Sequence, residues 1–453
     1  FAEKGYVGDR YGVDGGFVLR RITDDQDRQK HFFMFGAMGL GGRGAYALDL
    51  SKINGNYPAA APLFDVKDGD NNGKNRVEVK LGYTVGTPQI GKTQNGTYSA
   101  FLASGYAAKK IDDSTNKTAL YVYDLKDTLG TPIAKIEAPG GKGGLSSPTL
   151  VDKDLDGTVD IAYAGDRGGN MYRFDLSNSD SSKWSAKVIF EGDKPITSAP
   201  AVSRLADKRV VIFGTGSDLS EEDVVDTKEQ YIYGIFDDDK PTVNVKVTNG
   251  TGGGLLEQNL TQENKTLFLT NNKASGGSAD KGWVVKLREG ERVTVKPTVV
   301  LRTAFVTIRK YNDDGCGAET AILGINTADG GALTPRSARP IVPDHDSVAQ
   351  YSGHKKTADG KSVPIGCMWK NGKTVCPNGY VYDKPVNVRY LDEKKTDDFP
   401  VTADGDAGGS GTFKEGKKPA RNNRCFSGKG VRTLLMNDLD SLDITGPMCG
   451  IKR

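Results

Sequence analysis

Apolar and polar positions follow one another in a pattern that recurs along the first 330 residues of the chain. Each copy opens with a small residue, proline and an apolar residue. It continues with an apolar run that ends in small residues, and it closes with an aromatic-rich run that ends near aspartate. Full copies occupy residues 87–125, 147–176 and 199–237, a partial copy occupies 33–50, and degenerate copies follow at 283–287 and 297–326. Short apolar runs bounded by turn residues are typical of strands, so the pattern predicts an all-β protein.

The repeat has a period of about 50 to 60 residues, which fits a four-stranded propeller blade better than a solenoid rung. A single blade cannot bury both of its faces, so blades stack around an axis. We therefore expect a β-propeller over residues 1–331, a loop-rich insertion over 332–430, and a closing strand with a tail over 431–453. Residues 384–424 hold few apolar residues, which is typical of an exposed loop. A pair of β-sandwiches with similar turns is the alternative fold.

The composition agrees with short strands joined by tight turns. Glycine makes up 58 of 453 residues, or about 13%, against an ordinary share of about 7%. The net charge is only +3, whereas a dedicated nucleic-acid binder carries a strong basic excess. No apolar run in the sequence approaches the roughly 18 residues that span a bilayer. We therefore expect no nucleic-acid partner and no direct insertion into a membrane.

Five cysteines lie in the C-terminal third of the chain, and two of them bracket a predicted hairpin. The five are Cys316, Cys367, Cys376, Cys425 and Cys449. The Asn-Gly pair at residues 371–372 is a strong hairpin signal, and a two-residue turn there sets Cys367 opposite Cys376. At such a non-hydrogen-bonded position the Cα atoms approach to about 4.5 Å, which is within disulfide range. We predict this disulfide; a pairing of Cys425 with Cys449 would leave Cys316 free or paired outside the chain.

The segment that carries chemistry is the acidic stretch at residues 152–160. Carboxylates stand at loop positions 1, 3, 5 and 9, glycine stands at position 6, and position 7 offers its carbonyl, which is the oxygen-ligand spacing of a calcium loop. The predicted ligands are Asp152, Asp154, Asp156, Thr158 and Asp160. Position 12 is Tyr163, so the bidentate glutamate of an EF-hand is missing. A solvated acidic turn is the alternative, but carboxylates this close repel one another without a cation.

Two other strings imitate ligand-binding motifs less well. Asp68, Asp70 and Asn72 match calcium-loop positions 1, 3 and 5, but position 9 is the cationic Arg76, which would repel a metal ion. Residues 86–93 match a phosphate-binding loop, but a turn and a strand follow them instead of the helix whose N-terminus would hold phosphate. We expect neither string to bind a ligand.

The sequence offers little support for catalysis. The three histidines, His31, His345 and His354, lack further ligands at metal spacing, and no nucleophile-elbow signature appears. His31 lies beside an aromatic run and is expected to be a half-buried structural residue. We therefore expect that the protein is not an enzyme.

Residues 160–176, which follow directly from the acidic loop, resemble the PilC/PilY family of large exported proteins associated with type IV pili. Residues 5–9, 282–283 and 290–292 extend the similarity, which is greatest to the neisserial PilC branch. The resemblance implies a quinoprotein-like β-propeller of about seven modified blades. It also implies that the calcium loop of the family corresponds to residues 152–160 here.

The resemblance further implies a function at the pilus. A calcium-dependent domain of this family promotes pilus extension against retraction, and it supports host-cell adhesion, twitching motility and virulence. Its partners would be pilus subunits and, through a separate N-terminal region, a host-cell receptor. The chain begins at Phe1 without an initiator methionine or a signal peptide, which is typical of a fragment of an exported protein. We expect it in the periplasm, at the outer-membrane surface and at the pilus tip of a Gram-negative bacterium.

Two other protein classes share the blade architecture. Dehydrogenases that use pyrroloquinoline quinone resemble one another in a repeated tryptophan signature and often an adjacent cysteine pair. This chain has only three tryptophans and no adjacent cysteines, so such a cofactor is not expected. Integrin-like propellers repeat an acidic loop in several blades, whereas one good copy occurs here.

Overall fold

The structure is a computed structural model. The residues that it describes are 12–55, 57–71, 77–107, 117–240, 245–263, 266–274, 279–300, 302–311, 318–333 and the short strands 354–356, 362–364, 368–370, 373–375, 386–389 and 431–434. Within these ranges, no helix has both the length and the apolar character needed to cross a membrane. The chain divides into two compact units. Unit one holds residues 1–200 and 239–253, and unit two holds residues 201–238 and 254–453.

Sheet one, at the start of unit one, is an antiparallel meander of four strands in chain order. The strands are β1 (Phe17–Thr23), β2 (Gln29–Ala37), β3 (Gly44–Asp49) and β4 (Pro62–Lys67). Three short 3-10 helices connect them, at Gly39–Gly41, Leu50–Lys52 and Pro58–Ala60. Alternate residues of β2 and β3, among them Phe33, Phe35 and Ala47, point into a hydrophobic core. The partial copy of the repeat corresponds to these two strands.

Sheet two packs on the same core and has a second core on its other face. Its strands are β5 (Gln89–Lys92), β6 (Tyr98–Ala103), β7 (Ala119–Asp124) and β8 (Pro132–Glu137). Tyr121 and Tyr123 of β7 pack toward sheet one, whereas Leu120 and Val122 pack toward the following sheet. A strand buried on both faces needs apolar residues at every position, which explains the unbroken apolar run of β7.

Sheet three carries the acidic loop. Its first four strands are β9 (Thr149–Val151), β10 (Ile161–Gly165), β11 (Asn170–Asp175) and β12 (Ser185–Glu191). A 3-10 helix at Ser181–Lys183 joins the last two. Ala162, Tyr172 and Phe174 bury their side chains against sheet two. The loop of residues 152–160 connects β9 to β10, so both of its ends are held by antiparallel pairing.

Unit two begins with sheet four, into which the third copy of the repeat folds. The first strands are β13 (Ala201–Arg204), β14 (Arg209–Gly214) and β15 (Tyr231–Asp237), and the short helix α1 (Glu221–Val225) lies between the last two. The chain then returns to unit one, where β16 (Val245–Lys246) pairs in parallel with β12 as the fifth strand of sheet three.

Sheet four has six strands, because residues 255–286 add three more. These are β17 (Leu255–Glu263), β18 (Thr266–Leu269) and β19 (Gly282–Lys286), and the order is β13-β14-β15-β19-β17-β18. Residues 283–287, expected to be a degenerate copy of the repeat, lie mostly in β19, which pairs with β15. The expectation was wrong, since this segment completes sheet four and does not start another copy.

Sheet five packs on sheet four within unit two. Its strands are β20 (Thr298–Val300), β21 (Thr303–Tyr311) and β22 (Ala318–Asn326). Val306 and Leu323 share a core with Trp283 of β19, whose side chain is fully buried. The last degenerate copy of the repeat, at residues 297–326, therefore does contribute a sheet of its own.

Six short strands lie beyond residue 353: β23 (His354–Lys356), β24 (Ser362–Pro364), β25 (Met368–Lys370), β26 (Lys373–Val375), β27 (Val386–Arg389) and β28 (Val431–Leu434). Trp369 pairs with Thr374 in the β25–β26 hairpin, which confirms the predicted register. The predicted closing strand at residue 431 is also present, and it pairs with β27. All five cysteines, His345, Asn72 and Arg76 lie outside the described residues, so the disulfides stay predictions.

The all-β prediction is confirmed, because the described residues form twenty-eight strands and one short α-helix. Each full copy of the repeat supplies three consecutive strands of one sheet. The described residues form five sheets of three or more strands, so the predicted blade number is not established. The domain boundaries at residues 331 and 430 likewise stay predictions.

Candidate metal centre

The acidic loop brings three of its predicted ligands together. Asp152, Asp154 and Asp156 each offer one carboxylate oxygen, and these oxygens lie within 4.8 Å of one another. Asp154 and Asp156 are exposed and Asp152 is half-buried, so the cluster opens to solvent at the surface of unit one. Alternate residues of the loop therefore converge as the spacing predicts. Asp160, the fourth predicted carboxylate, lies outside this group of three.

The backbone of the loop is folded around the carboxylate of Asp152. Oδ1 of Asp152 accepts a hydrogen bond from Leu155 N–H (2.7 Å), and Oδ2 accepts one from Gly157 N–H (2.8 Å). Both donors have left-handed backbone conformations, with φ of 66° at Leu155 and 91° at Gly157. Glycine adopts such angles without a steric penalty, which explains its place at the turn.

Asp160 anchors the end of the loop to the sheet. Its Oδ2 accepts a hydrogen bond from Lys153 N–H (2.7 Å), and its Oδ1 accepts one from the carboxamide of Gln94 (2.9 Å). The side chain is buried, and this burial raises the pKa of Asp160, as do the nearby carboxylates of Asp154 and Asp156. A cation at the cluster would relieve the like-charge repulsion that contributes to this shift.

Thr158 links two of the predicted ligands. Its hydroxyl donates a hydrogen bond to Oδ1 of Asp156 (2.6 Å) and accepts one from Gln94 Nε2 (2.6 Å). Hydrogen bonds from the hydroxyl and N–H of Thr158 lower the pKa of Asp156, so its carboxylate is ionised near neutral pH. That the Thr158 carbonyl serves as a ligand stays a prediction.

A basic residue within the loop is paired with an acid from farther along the chain. Nζ of Lys153 lies 3.0 Å from Oδ2 of Asp239, and Nη2 of Arg173 lies 2.8 Å from Oδ1 of the same carboxylate. Asp239 therefore offsets the positive charge of Lys153, which would otherwise oppose binding of a cation at its two neighbours in sequence.

The donor set fits a hard divalent cation. Clustered carboxylates suit calcium, which takes six to eight oxygen ligands in flexible geometry, whereas magnesium demands a near-ideal octahedron. The described cluster contains no sulfur or imidazole donor. A softer metal such as zinc would favour such donors.

Spacing alone did not predict Gln94 or Asp239 as neighbours of the loop. Gln94 lies in the turn after β5 of sheet two, and Asp239 lies in the segment that returns to unit one. No periodic signal in the sequence connects either residue to residues 152–160. Only the packing of sheet two on sheet three brings Gln94 to the acidic loop.

The weaker candidates have structural roles in the described chain. Asp68 accepts a hydrogen bond from Leu81 N–H (2.8 Å) and lies 3.7 Å from Arg43. Residues 86–93 run into β5 and its hairpin turn, which agrees with the rejection of a phosphate-binding loop. His31 is half-buried, and its Nδ1 lies 2.8 Å from Oδ2 of the buried Asp49. This confirms its expected structural placement.

Similarity to known proteins decides the family. Residues 1–273, more than half of the chain, match the PilY1 β-propeller domain family. The chain belongs to this family. The PilC/PilY resemblance and the propeller fold predicted from sequence are therefore confirmed, whereas the closer likeness to the neisserial branch stays a prediction.

Curated relatives extend well beyond the PilY1 propeller domain. The type IV pilus biogenesis factor PilY1 of Pseudomonas aeruginosa (strain UCBPP-PA14) is 27% identical over 366 residues, which cover 66% of this chain and 30% of that protein. A homolog of that factor in Xylella fastidiosa (strain Temecula1) is 28% identical over 393 residues, covering 76% of this chain and 25% of the relative. The chain thus spans less than a third of the length of these relatives.

A solved structure supports the fold of the PilY1 family here. The crystal structure of the Pseudomonas aeruginosa PilY1 C-terminal domain superposes with a TM-score of 0.58, covering 82% of this chain and 80% of that domain. The two chains are 22% identical, so this likeness bears on the fold alone.

Proposed function

We propose that this chain is part of a type IV pilus biogenesis protein and that it binds calcium through the acidic loop at residues 152–160. The observation that carries the proposal is the convergence of Asp152, Asp154 and Asp156, whose carboxylate oxygens lie within 4.8 Å of one another. The family of the chain supports a role at the pilus, since the curated relatives of this propeller are named as type IV pilus biogenesis factors.

The chain's own residues would hold the ion in a prepared loop. Asp152, Asp154 and Asp156 would supply carboxylate oxygens, Thr158 its carbonyl, and Asp160 a further oxygen from the anchored end. Bound calcium would supply the positive charge that offsets repulsion among these carboxylates. The hydrogen bonds from Leu155 and Gly157 hold the carboxylate of Asp152 in place before binding, so little ordering remains.

The finer functional proposal concerns pilus dynamics. Calcium occupancy of the loop would favour pilus extension against retraction, and thereby host-cell adhesion and twitching motility. Pilus subunits are the proposed partners, and a host-cell receptor would bind elsewhere in the longer protein. The proposed location is the periplasm, the outer-membrane surface and the pilus tip of a Gram-negative bacterium. The role is non-enzymatic, in line with relatives named as biogenesis factors.

Calcium titration calorimetry on the chelator-stripped 453-residue chain tests the metal site. Asp154→Asn is the informative variant, because Asp154 is exposed and its one described hydrogen bond comes from Asp156 N–H within the loop. We expect one site in the wild type and at least about tenfold weaker binding in the variant, since calcium loops tune affinity by ligand charge. Asp25→Asn, at an exposed position in the turn between β1 and β2, is the matched control. Absence of heat from the wild type would refute calcium binding.

The pilus proposal is tested in the bacterium that encodes the chain. A strain with Asp154→Asn should make fewer surface pili and twitch less than the wild type at equal protein level, and a deletion strain should lose both. If the deletion strain were fully piliated and motile, the proposed role in pilus biogenesis would be wrong. If only the Asp154→Asn strain were unaffected, calcium control alone would be wrong.

A further inference from the structure

Gln94 stands in a rigid turn of sheet two, in the β5–β6 hairpin. The turn is closed by its own hydrogen bonds. Thr93 N–H donates to the carbonyl of Thr97 (2.8 Å), and Thr97 N–H donates to Oδ1 of Asn95 (3.1 Å). The hydroxyl of Thr93 also donates to Oδ1 of Asn95 (2.6 Å). The half-buried side chain of Gln94 therefore projects from a backbone that is already fixed.

The backbone of this hairpin is bonded directly to the acidic loop. Val159 N–H donates to the carbonyl of Lys92 (2.8 Å), two residues before Gln94. The side chain of Val159 also packs directly on the backbone of Gly91, because a Cβ added at Gly91 would lie 2.4 Å from Cγ2 of Val159. The position of Gln94 relative to the loop is thus set by main-chain and packing contacts that do not depend on its own side chain.

The carboxamide of Gln94 reaches two loop residues at once. Its Nε2 lies 2.6 Å from Oγ1 of Thr158 and 2.9 Å from Oδ1 of Asp160. The hydroxyl hydrogen of Thr158 is directed at Asp156, so its oxygen can only accept from Gln94. The carboxylate of Asp160 is likewise an acceptor. An NH₂ group satisfies both, whereas the carbonyl oxygen of the same amide would repel both.

These contacts restrain two of the predicted ligands, Asp160 directly and Asp156 through Thr158. Oδ2 of Asp160 is bound to Lys153 N–H, so the Gln94 bond to Oδ1 fixes the carboxylate at its second oxygen. Through the hydroxyl of Thr158, the same amide also restrains Oδ1 of Asp156. Oδ1 of Asp160 retains a lone pair for a cation. Oδ1 of Asp156 accepts from both the N–H and the hydroxyl of Thr158, so Asp156 would bind a cation through its Oδ2.

We propose that Gln94 is a positioning residue for cation binding, which orients Asp160 directly and Asp156 through Thr158. This inference rests on the proposed calcium function of the loop. Residues that hydrogen-bond metal ligands tune affinity, and their loss typically weakens binding by about 10- to 100-fold. Gln94 would contribute no ligand atom, because its amide nitrogen, and not its oxygen, faces the loop.

Gln94→Met tests the inference, since methionine keeps the length and most of the volume of glutamine but cannot donate a hydrogen bond. Gln26→Met, at an exposed turn of sheet one, is the matched control. Calcium titration calorimetry and thermal unfolding with and without calcium are measured on each chelator-stripped 453-residue chain. We expect the dissociation constant of Gln94→Met to rise by about 10- to 100-fold and its calcium-induced stabilisation, measured against its own calcium-free form, to shrink.

The outcomes separate the inference from the function on which it rests. Binding by Gln94→Met within twofold of the wild type would overturn the positioning role and leave calcium binding intact. Absence of binding by the wild type would overturn both. If Gln94→Met failed to fold, Thr158→Val removes the hydroxyl that joins Gln94 to Asp156 while keeping the carbonyl. It should also weaken binding, and unchanged affinity in that variant would count against the proposal.

Discussion

The carboxylate of Asp49 is almost fully buried, and its Oδ2 lies 2.8 Å from Nδ1 of His31. Oδ1 accepts hydrogen bonds from Phe32 N–H (3.1 Å) and from the hydroxyl of Ser51 (2.6 Å). Burial alone would raise the pKa of Asp49, but the hydrogen bonds from Ser51, His31 and Phe32 outweigh it, so the pKa is lowered from its ordinary 3.8. The ionised form therefore stabilises the junction of β2 and β3.

Asp49→Asn should lower the free energy of unfolding at neutral pH by about 1–3 kcal/mol, because the amide keeps one acceptor oxygen but loses the negative charge that strengthens this buried network. A carboxyl group whose pKa is lower in the native state than in the unfolded state stabilises the protein at pH values above its unfolded pKa. This contribution is lost as the pH falls through the native pKa. The difference between variant and wild type should thus shrink below about pH 4. Chemical denaturation at several pH values measures it, with exposed Asp25→Asn as control. A difference independent of pH would contradict the electrostatic account.

Leu155→Asn should stabilise the protein by about 0.5–1 kcal/mol. Leu155 has φ of 66° and an exposed fraction of 77%, so it bears backbone strain without burying its side chain. Asparagine tolerates this conformation better than leucine does. Leu129→Asn is the control, because that leucine is 70% exposed and is not among the described residues with positive φ. Equal effects of the two substitutions in denaturant titrations would indicate solvation instead of backbone strain.

Gly234→Ala should displace the buried indole of Trp283 from its neighbouring strand. A Cβ at Gly234 would lie 2.1 Å from Cε2 of Trp283, whose Nε1 donates to the carbonyl of Thr327 (2.9 Å). Overpacking of this kind costs about 1–3 kcal/mol. The readout is red-shifted tryptophan emission in a background in which Trp184 and Trp369 are phenylalanine.

The control for that experiment is Gly96→Ala, where the added methyl group meets no atom within 4 Å but φ is 85°. It should lower stability through backbone strain alone and leave the emission of Trp283 unchanged. A spectrum of Gly234→Ala identical to that of the control would mean that the strand pair tolerates the methyl group.

Asp239→Asn should destabilise unit one by about 1.5–3 kcal/mol, the range for hydrogen bonds to charged groups. Asp239 is paired with both Lys153 and Arg173, and the side chain of Arg173 is only 12% exposed. Asp193→Asn is the control, because Asp193 is 57% exposed and its pair with Lys194 at 3.4 Å should contribute about 0–1 kcal/mol. Urea unfolding of both variants decides the comparison, and similar losses would argue against a special role for the pairing of Asp239 with Lys153 and Arg173.

The inner strands of the sheets were predictable from sequence because burial on both faces imposes a distinctive composition on them. β6 and β7, for example, are apolar at nearly every position, so both strands were recognisable in the sequence repeat. The strands β1 and β12 expose part of their residues and lack that signal. β17 and β18 escaped prediction for a different reason, since they are inserted between β15 and β19 and belong to no copy of the repeat.

The candidate site divides in the same way into local and long-range parts. Asp152, Asp154 and Asp156 were predictable because alternate residues of one short loop converge by local geometry. Gln94 is far from them along the chain, and only the packing of sheet two on sheet three brings it to Asp160. Such a contact depends on the tertiary structure and leaves no trace in residue spacing.

Strand β16 has a consequence for how the protein is made. Unit one extends from residue 1 to residue 200 and resumes at residue 239, so its third sheet gains its fifth strand only at residues 245–246. During translation, β13, β14 and β15 of unit two leave the ribosome before that strand does. The two units therefore emerge interleaved in time, and a gene fragment that stops at residue 200 would encode a sheet with the edge of β12 uncovered.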